Sequence, residues 1–387
     1  MKLINRKLGD GIHIKHGFAF LGEFFSDQGK YILLTPGNFY EEGGFKPRPE
    51  KDRFYIGTFP NDYILKKGDL VIAMTEQGPG LLGSSAFIPE DNPYLHNQRL
   101  GLIDDIKTDI FDKKYLFHLF NSRSVRSQIY GSATGTKVKH TSPGRVYKVK
   151  VLVPKVAKQE RISSIIENYY QLIDINRRRI QLLEEAARLL FREWFVYFRF
   201  PGHEKIKIVD DVPEGWERCL LEDIAKVKKG RNITFEQAVE GDIPVVGGGL
   251  EPTYYHNKAN VSAPVITISA SGANAGFVNL YDTDIWASDC SYIDKNSTKY
   301  IYYLYLRLKS LQTSIFGLQV GAAQPHVYPK DLNRLRILIA PDDLCKQFEH
   351  LVTPIFTLIM NLKLQNQKLA QARDLLLPRL MSGKIEV

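Results

Sequence analysis

KKYLFHLFNSRSVRSQIYGSATGTKVKHTSPGRVYKVKVLVP, Lys113 to Pro154, is answered 186 residues later by KYIYYLYLRLKSLQTSIFGLQVGAAQPHVYPKDLNRLRILIAP, Lys299 to Pro341. Gly131 meets Gly317, Gly135 meets Gly321, His140 meets His326 and Pro143 meets Pro329 without a gap. Each copy opens with apolar residues at helical spacing, passes through a glycine-containing loop, and closes on alternating apolar and basic residues, VYKVKVLVP and LNRLRILIAP, the period of a half-buried strand. A repeat of this length sets the organisation of the chain before any single motif does.

Beyond Pro154 and Pro341 the register slips and then returns. Leu172 and Leu358, Gln181 and Gln367, Leu183 and Leu369, and Leu190 and Leu376 coincide. The first copy carries apolar residues at Ile162, Ile166, Tyr169, Ile173, Ile180, Leu183, Ala187, Leu190 and Trp194, a 4-3-4 spacing interrupted at Asn176. This is a coiled-coil seam. The second keeps it at Phe348, Val352, Ile355, Ile359, Leu362, Leu369, Leu376 and Leu380, with Asn366 and Arg373 as polar interruptions and Pro354 expected to kink the helix or mark its effective start. A helix of about 36 residues spans roughly 54 Å, more than a small domain needs for its own core.

Upstream the halves match more loosely: LGDGIHIKHG from Leu8 resembles LEDIAKVKKG from Leu221, and DLVIAMTEQG from Asp69 resembles APVITISASG from Ala263. The expected order is globule (1–153), long helix (154–200), linker (201–211), globule (212–341), long helix (342–387). The fold class is an α/β (α+β) repeat.

At 387 residues, 44% hydrophobic and 25% charged, with 21 Phe and 20 Tyr, the chain supports more than one packed core and excludes a disordered or collagen-like class. The opening residues lack the apolar run of a signal peptide and no stretch has the length of a membrane span, so a cytoplasmic location is expected. Cys219, Cys290 and Cys345 stand apart without metal-ligand spacing, which reads as three core thiols and no metal. A net charge of +9 favours a polyanionic partner.

With these features in place, VPEGWE (Val212 to Glu217) followed by LEDI, LFREWFVYF (Leu190 to Phe198), GAAQPHVYPKDLNRLRILIAP and LLLPRLMSGKIEV together resemble, in order along the whole chain, the specificity subunits of type I restriction-modification enzymes. The resemblance implies two target-recognition domains, each followed by a long helix, the helices packing antiparallel as a spacer. It implies binding of a bipartite, asymmetric double-stranded DNA site with one domain per half. It further implies no catalysis and no cofactor in this chain, with S-adenosylmethionine on two docked methyltransferase subunits and with restriction-translocation subunits completing the nuclease. The first globule lacks a PEGWE phrase of its own, and KVKHTSP stands where the second copy has AQPHVYP.

Donors and acceptors that could meet base edges cluster at loop positions. Thr136, Lys137, Lys139 and His140 lie on the first copy's loop, and Gln324, His326 and Tyr328 on the second. Lys15 and His16 match Lys228, Lys229 and Arg231; Thr75, Glu76 and Gln77, then Ser271 and Asn274, follow apparent strands. His140 and His326 fit a shared structural hydrogen bond at least as well as a base contact. The run Arg177 to Arg179 reads as a solvated helix face or a phosphate contact, and Asn176 with Asn366 as a register-setting pair or two residues at a solvated edge. Tyr170, Phe191, Phe195 and Phe356 fall off the seam and are expected to be exposed for the methyltransferase subunits.

The rival class is a stand-alone DNA adenine methyltransferase or nuclease. DNPY at Asp91 departs from the adenine-gripping DPPY or NPPY pattern at its second residue, VVGGG at Val245 lacks an acidic partner strand, and GSATGTK at Gly131 is one residue short of a phosphate loop.

Overall fold

The computed structural model describes residues 2–76, 80–91, 93–136, 138–321 and 324–387. The chain divides into two compact units, Met1–Ile173 with Lys368–Val387, and Asp174–Gln367. Each unit thus takes one globule and a length of both long helices.

The first unit is built on a four-stranded antiparallel sheet in the order Ile12–His16, Leu100–Ile106, Leu70–Ala73, Ser85–Phe87. Leu70–Ala73 is buried at every position because both faces are covered. Leu70 and Ile72 pack in the cluster that holds Tyr115, Phe120 and Ile129 of the repeat's helices, while Val71 and Ala73 pack with Leu34, Phe39 and Tyr94. That is why this strand reads as an apolar run instead of an alternation. A smaller sheet pairs Tyr31–Leu34 in parallel with Tyr94–His96 and antiparallel with Phe54–Tyr55, which also pairs with Phe25–Ser26. Ile4–Lys7 pairs with Lys150–Val153, closing the globule beside the first long helix.

The second unit repeats this plan. Its four strands run Lys228–Lys229, Cys290–Asp294, Val265–Ser269, Val278–Tyr281; the small sheet pairs Ile243–Val246 in parallel with Trp286–Ala287 and antiparallel with Tyr254–His256; Glu217–Leu220 pairs with Arg336–Ile339. Registers agree residue for residue: Lys15 and Val71 both face Leu102, and Lys228 and Thr267 both face Tyr292.

The long helices are Val156–Phe195 and Asp342–Met381, 40 residues each, so each spans about 60 Å. The second runs unbroken through Pro354. Pairing is antiparallel in each unit. In the second, Asn176 meets Asn366 while Phe191, Trp194 and Phe195, later in the first helix, surround Phe348, earlier in the second. In the first, Tyr170 lies under Arg373 at 4.6 Å and Ile162 and Ile166 share a cluster with Leu380.

Within the stretch 201–211, expected as a linker, the backbone turns through His203–Lys205 and Ile208–Val209 pairs with Val212–Pro213, while the preceding Phe198 and Phe200 pack on Trp216. The expected exposure of aromatic residues on the helices is corrected. Phe191, Phe195 and Phe356 are not exposed; they are 1%, 1% and 3% accessible, enclosed by Tyr302, Tyr303 and Tyr305 of the second globule and by Phe348 of the second long helix. The seam is only one face of these helices, and the globule covers another.

Candidate nucleic-acid interface

Three chain segments converge at one end of the four-stranded sheet in each unit. In the first unit, the strand Leu70–Ala73 runs on to Thr75, which bridges to His140. Glu76 N donates to Lys139 O at 2.9 Å and Thr141 N to Met74 O at 2.9 Å. The loop before His140 is pinched shut by reciprocal backbone bonds between Thr134 and His140, 2.9 and 2.8 Å. Gly135 makes the pinch with φ +100°, and a Cβ there would stand 2.0 Å from Val138 O, so only glycine fits. Thr75 Oγ1 and His140 Nδ1 share a 3.1 Å hydrogen bond.

The second unit has the same arrangement in different residues. Ser271 bridges to His326, Gly272 N donates to Pro325 O and Val327 N to Ala270 O, both at 3.0 Å. Val320 and His326 exchange backbone bonds of 2.9 Å, and Gly321 holds φ +99°. The His326 ring stacks on Tyr328 with centroids 6.0 Å apart. The frame is kept while the side chains on it change.

The third segment is the end of the edge strand. Gly17 N donates to Leu100 O and Gly230 N to Cys290 O. Lys15 Nζ is bound by Asp62, 2.7 Å to Oδ2 and 2.9 Å to the carbonyl, and lies 4.4 Å from the Tyr63 ring centre. The lysine's hydrogen bond holds the Asp62 carboxyl below its ordinary range. Lys228 is matched by Asp294 at 3.0 Å. These two cations are neutralised locally, whereas Lys229, Arg231 and His16 are exposed.

Of the other sequence candidates, Thr136 and Gln324 are exposed on the pinched loops, Tyr328 is exposed, and Lys139 is half-buried with its ammonium 5.9 Å from the Tyr130 ring. Asn274 sits in the turn beside Ser271, its carbonyl accepting from Phe277 N. Gln77 and Lys137 lie outside the described residues. Sequence reading passes over Arg99 and Asp289, whose carbonyls accept from Met74 N at 2.8 Å and Ala270 N at 3.3 Å at the middle of each cluster. The recurrence of Ile103-Asp104 as Ile293-Asp294, 190 residues on, is the signal that aligns them.

On the helices, Tyr170 is half-buried, stacked on His118 at 5.7 Å. Burial, and then the charge of Arg373, pushes the His118 imidazole down to about 4. Solvent-facing apolar residues lie elsewhere. Leu172 and Leu375 of the first unit are 44% and 65% accessible, and their repeat counterparts in the second, Leu358 and Leu189, are 37% and 46%. Ile175 and Leu182 extend the same heptad line of the first helix. Arg177, Arg178 and Arg179 are exposed. Among the described residues no helix is long and apolar enough to cross a membrane.

Two α+β units of one topology, each gathering three loops at one sheet end and each seated on both long helices, define a duplicated recognition subunit. The family model described as Type I restriction modification DNA specificity domain matches residues 3–185 and 213–370, and the chain belongs to that family. It is a DNA sequence-specificity subunit of the type I class. Its similarity to the Type I restriction enzyme MjaIX specificity subunit of Methanocaldococcus jannaschii is 26% identity over 324 residues, 76% of this chain and 74% of that protein. The Type I restriction enzyme HindI specificity subunit of Haemophilus influenzae is 22% identical over 413 residues, 83% and 87% of the two chains. The crystal structure of the type I restriction-modification S subunit from M. genitalium shares the fold with a TM-score of 0.63 at 16% identity, covering 98% of this chain and 96% of that one.

Proposed function

We propose that the two units read the two halves of an asymmetric, bipartite double-stranded DNA site, one unit per half, and that the helix pair sets the separation of the halves. The observation that carries this is the repeated loop cluster: Thr75, Lys139 and His140 in one unit, Ser271, Gln324 and His326 in the other, on superimposable hydrogen-bond frames. Identical frames with different donors read different sequences, which makes the site asymmetric. Half-sites approached from one face of B-DNA are about 34 to 36 Å apart per turn, and a helix pair of 40-residue members is a stiff spacer of adequate length where a flexible linker would permit many separations.

Catalysis is assigned to partners. Exposed Leu172 and Leu375 in the first unit, and their repeat counterparts Leu358 and Leu189 in the second, give each unit equivalent solvent-facing apolar residues, suited to two copies of one partner. These are methyltransferase subunits that bind S-adenosylmethionine and methylate adenine, with restriction-translocation subunits added for cleavage. This surface replaces the one expected at Phe191, Phe195 and Phe356.

Purified chain incubated with labelled S-adenosylmethionine and genomic DNA separates this reading from the stand-alone methyltransferase. No transfer by the chain alone and transfer once the methyltransferase subunit is added is expected; transfer by the chain alone overturns it.

A further inference from the structure

We propose that Arg99 and Asp289 are base-reading residues of opposite chemistry at one repeated position: Arg99 donates to guanine O6 and N7 in one half-site, and Asp289 accepts from cytosine N4 in the other. The inference rests on the reading of the loop clusters as DNA-facing and names the residues that give each half its identity.

The equivalence is fixed by the backbone. Arg99 O accepts from Met74 N and Asp289 O from Ala270 N, and each precedes the residue whose carbonyl accepts from a glycine of the edge strand's end, Gly17 or Gly230. Each therefore stands where the three loop segments meet. Arg99 is exposed, and among the described residues its guanidinium enters no hydrogen bond or ion pair. An exposed guanidinium, carried by a residue whose backbone joins the three loop segments, has the fork geometry that matches the two guanine acceptors.

Asp289 is half-buried, and the Ser271 hydroxyl donates to its Oδ2. The Gly247 to Gly249 loop closes over it: a Cβ on Gly248 would lie 2.6 Å from Ser271 O and 3.4 Å from Asp289 Oδ2, so glycine is what lets the chain come this near. One carboxylate oxygen is thereby oriented and the other left as an acceptor. A carboxylate in a surface that meets a polyanion is repelled by phosphate. Ser271 supplies a donor to one of its oxygens, and the acceptor left over matches cytosine N4, the donor that Asp and Glu select in the major groove.

The test replaces each residue in the intact chain, co-expresses it with the methyltransferase subunit, and reads the methylated motif by single-molecule sequencing of the host genome. Arg99→Ala is expected to relax one guanine position in one half by about 10- to 100-fold and leave the other half unchanged. Arg99→Lys, which keeps the charge and loses the fork, is expected to relax the same position. Asp289→Asn retains an acceptor for Ser271 and is expected to relax one cytosine position in the opposite half only. Unchanged motifs, a uniform fall at every site with the letters intact, or Arg99→Lys behaving as the parent each overturn the proposal, because they leave Arg99 as a phosphate contact or a bystander. A parent chain with no sequence preference instead refutes the underlying assignment of the loop clusters, before any variant is compared.

Discussion

Replacing Asn176 with leucine separates stability from specificity in the helix pair. Asn176 is 1% accessible, and its Nδ2 donates to Asn366 Oδ1 at 3.1 Å and Gln365 Oε1 at 3.4 Å. Removing the amide forfeits a hydrogen bond whose net contribution is about 1 kcal/mol. Asn366 is half-exposed and Gln365 exposed, so water can satisfy both and no further desolvation cost arises. A leucine in the same place adds about 1.5 to 3 kcal/mol of apolar burial between Ile173 and Ile180 of the seam. The balance is neutral to about 2 kcal/mol stabilising. What is lost is the polar match that fixes register and favours pairing within one chain over pairing between chains. Urea unfolding followed by helical circular dichroism, with light scattering to count copies, reads both effects. An unchanged or raised midpoint with a new dimeric or heterogeneous population is expected. A loss above about 2 kcal/mol in a strictly monomeric variant would refute the reasoning, because the pair would then be holding the helices together instead of selecting their alignment.

Acid should weaken the first unit through its buried histidines. Burial pushes the imidazoles of His96 and His118 down to about 4. The unfolded chain takes up these protons near pH 6.5, so stability is full above that value and falls as pH drops toward 4, by about 3 kcal/mol per histidine; His118→Gln should flatten the urea-midpoint profile in this window, and an unaltered profile contradicts the assignment. Phe348, fully buried against Phe191, Trp194, Phe195 and Tyr303, should cost about 3 to 5 kcal/mol when cut to alanine; calorimetry showing the second unit unfolding at its parental temperature would exclude this. Replacing Arg177, Arg178 and Arg179 with glutamine should lower the slope of log affinity against log salt by about 0.9 for each phosphate contact removed. An identical slope assigns the run to solvent.

The repeat was legible where loop lengths are conserved and faded where they are not. From Lys113 to Val153 one separation of 186 serves, and it returns along the long helices, but the backbone equivalences place Arg99 with Asp289 at 190, Met74 with Ala270 at 196 and Lys15 with Lys228 at 213. Each drift is a loop shortened in the second unit, which among the described residues has no counterpart to the strand Phe25–Ser26. Composition and periodicity therefore exposed the helices, the closing strands and the pinched loops, because glycine at positive φ and seam spacing are local signals. They could not expose Arg99 and Asp289, whose importance comes from hydrogen bonds to strands about 20 to 25 residues away in sequence. Nor could they tell which apolar helix residues face solvent. Phe191 and Leu189 look alike in a heptad count, and only the packing of Tyr303 and Phe348 on one side of the helix distinguishes them.

The division of labour between the units is tested most directly by selecting duplexes from a random pool with the complex of this chain and its methyltransferase subunits. Two blocks of fixed letters, unlike one another and separated by a run of constant length without preference, are predicted. A single uninterrupted block, or two blocks whose spacing varies freely, would contradict two readers held at one distance by the helix pair.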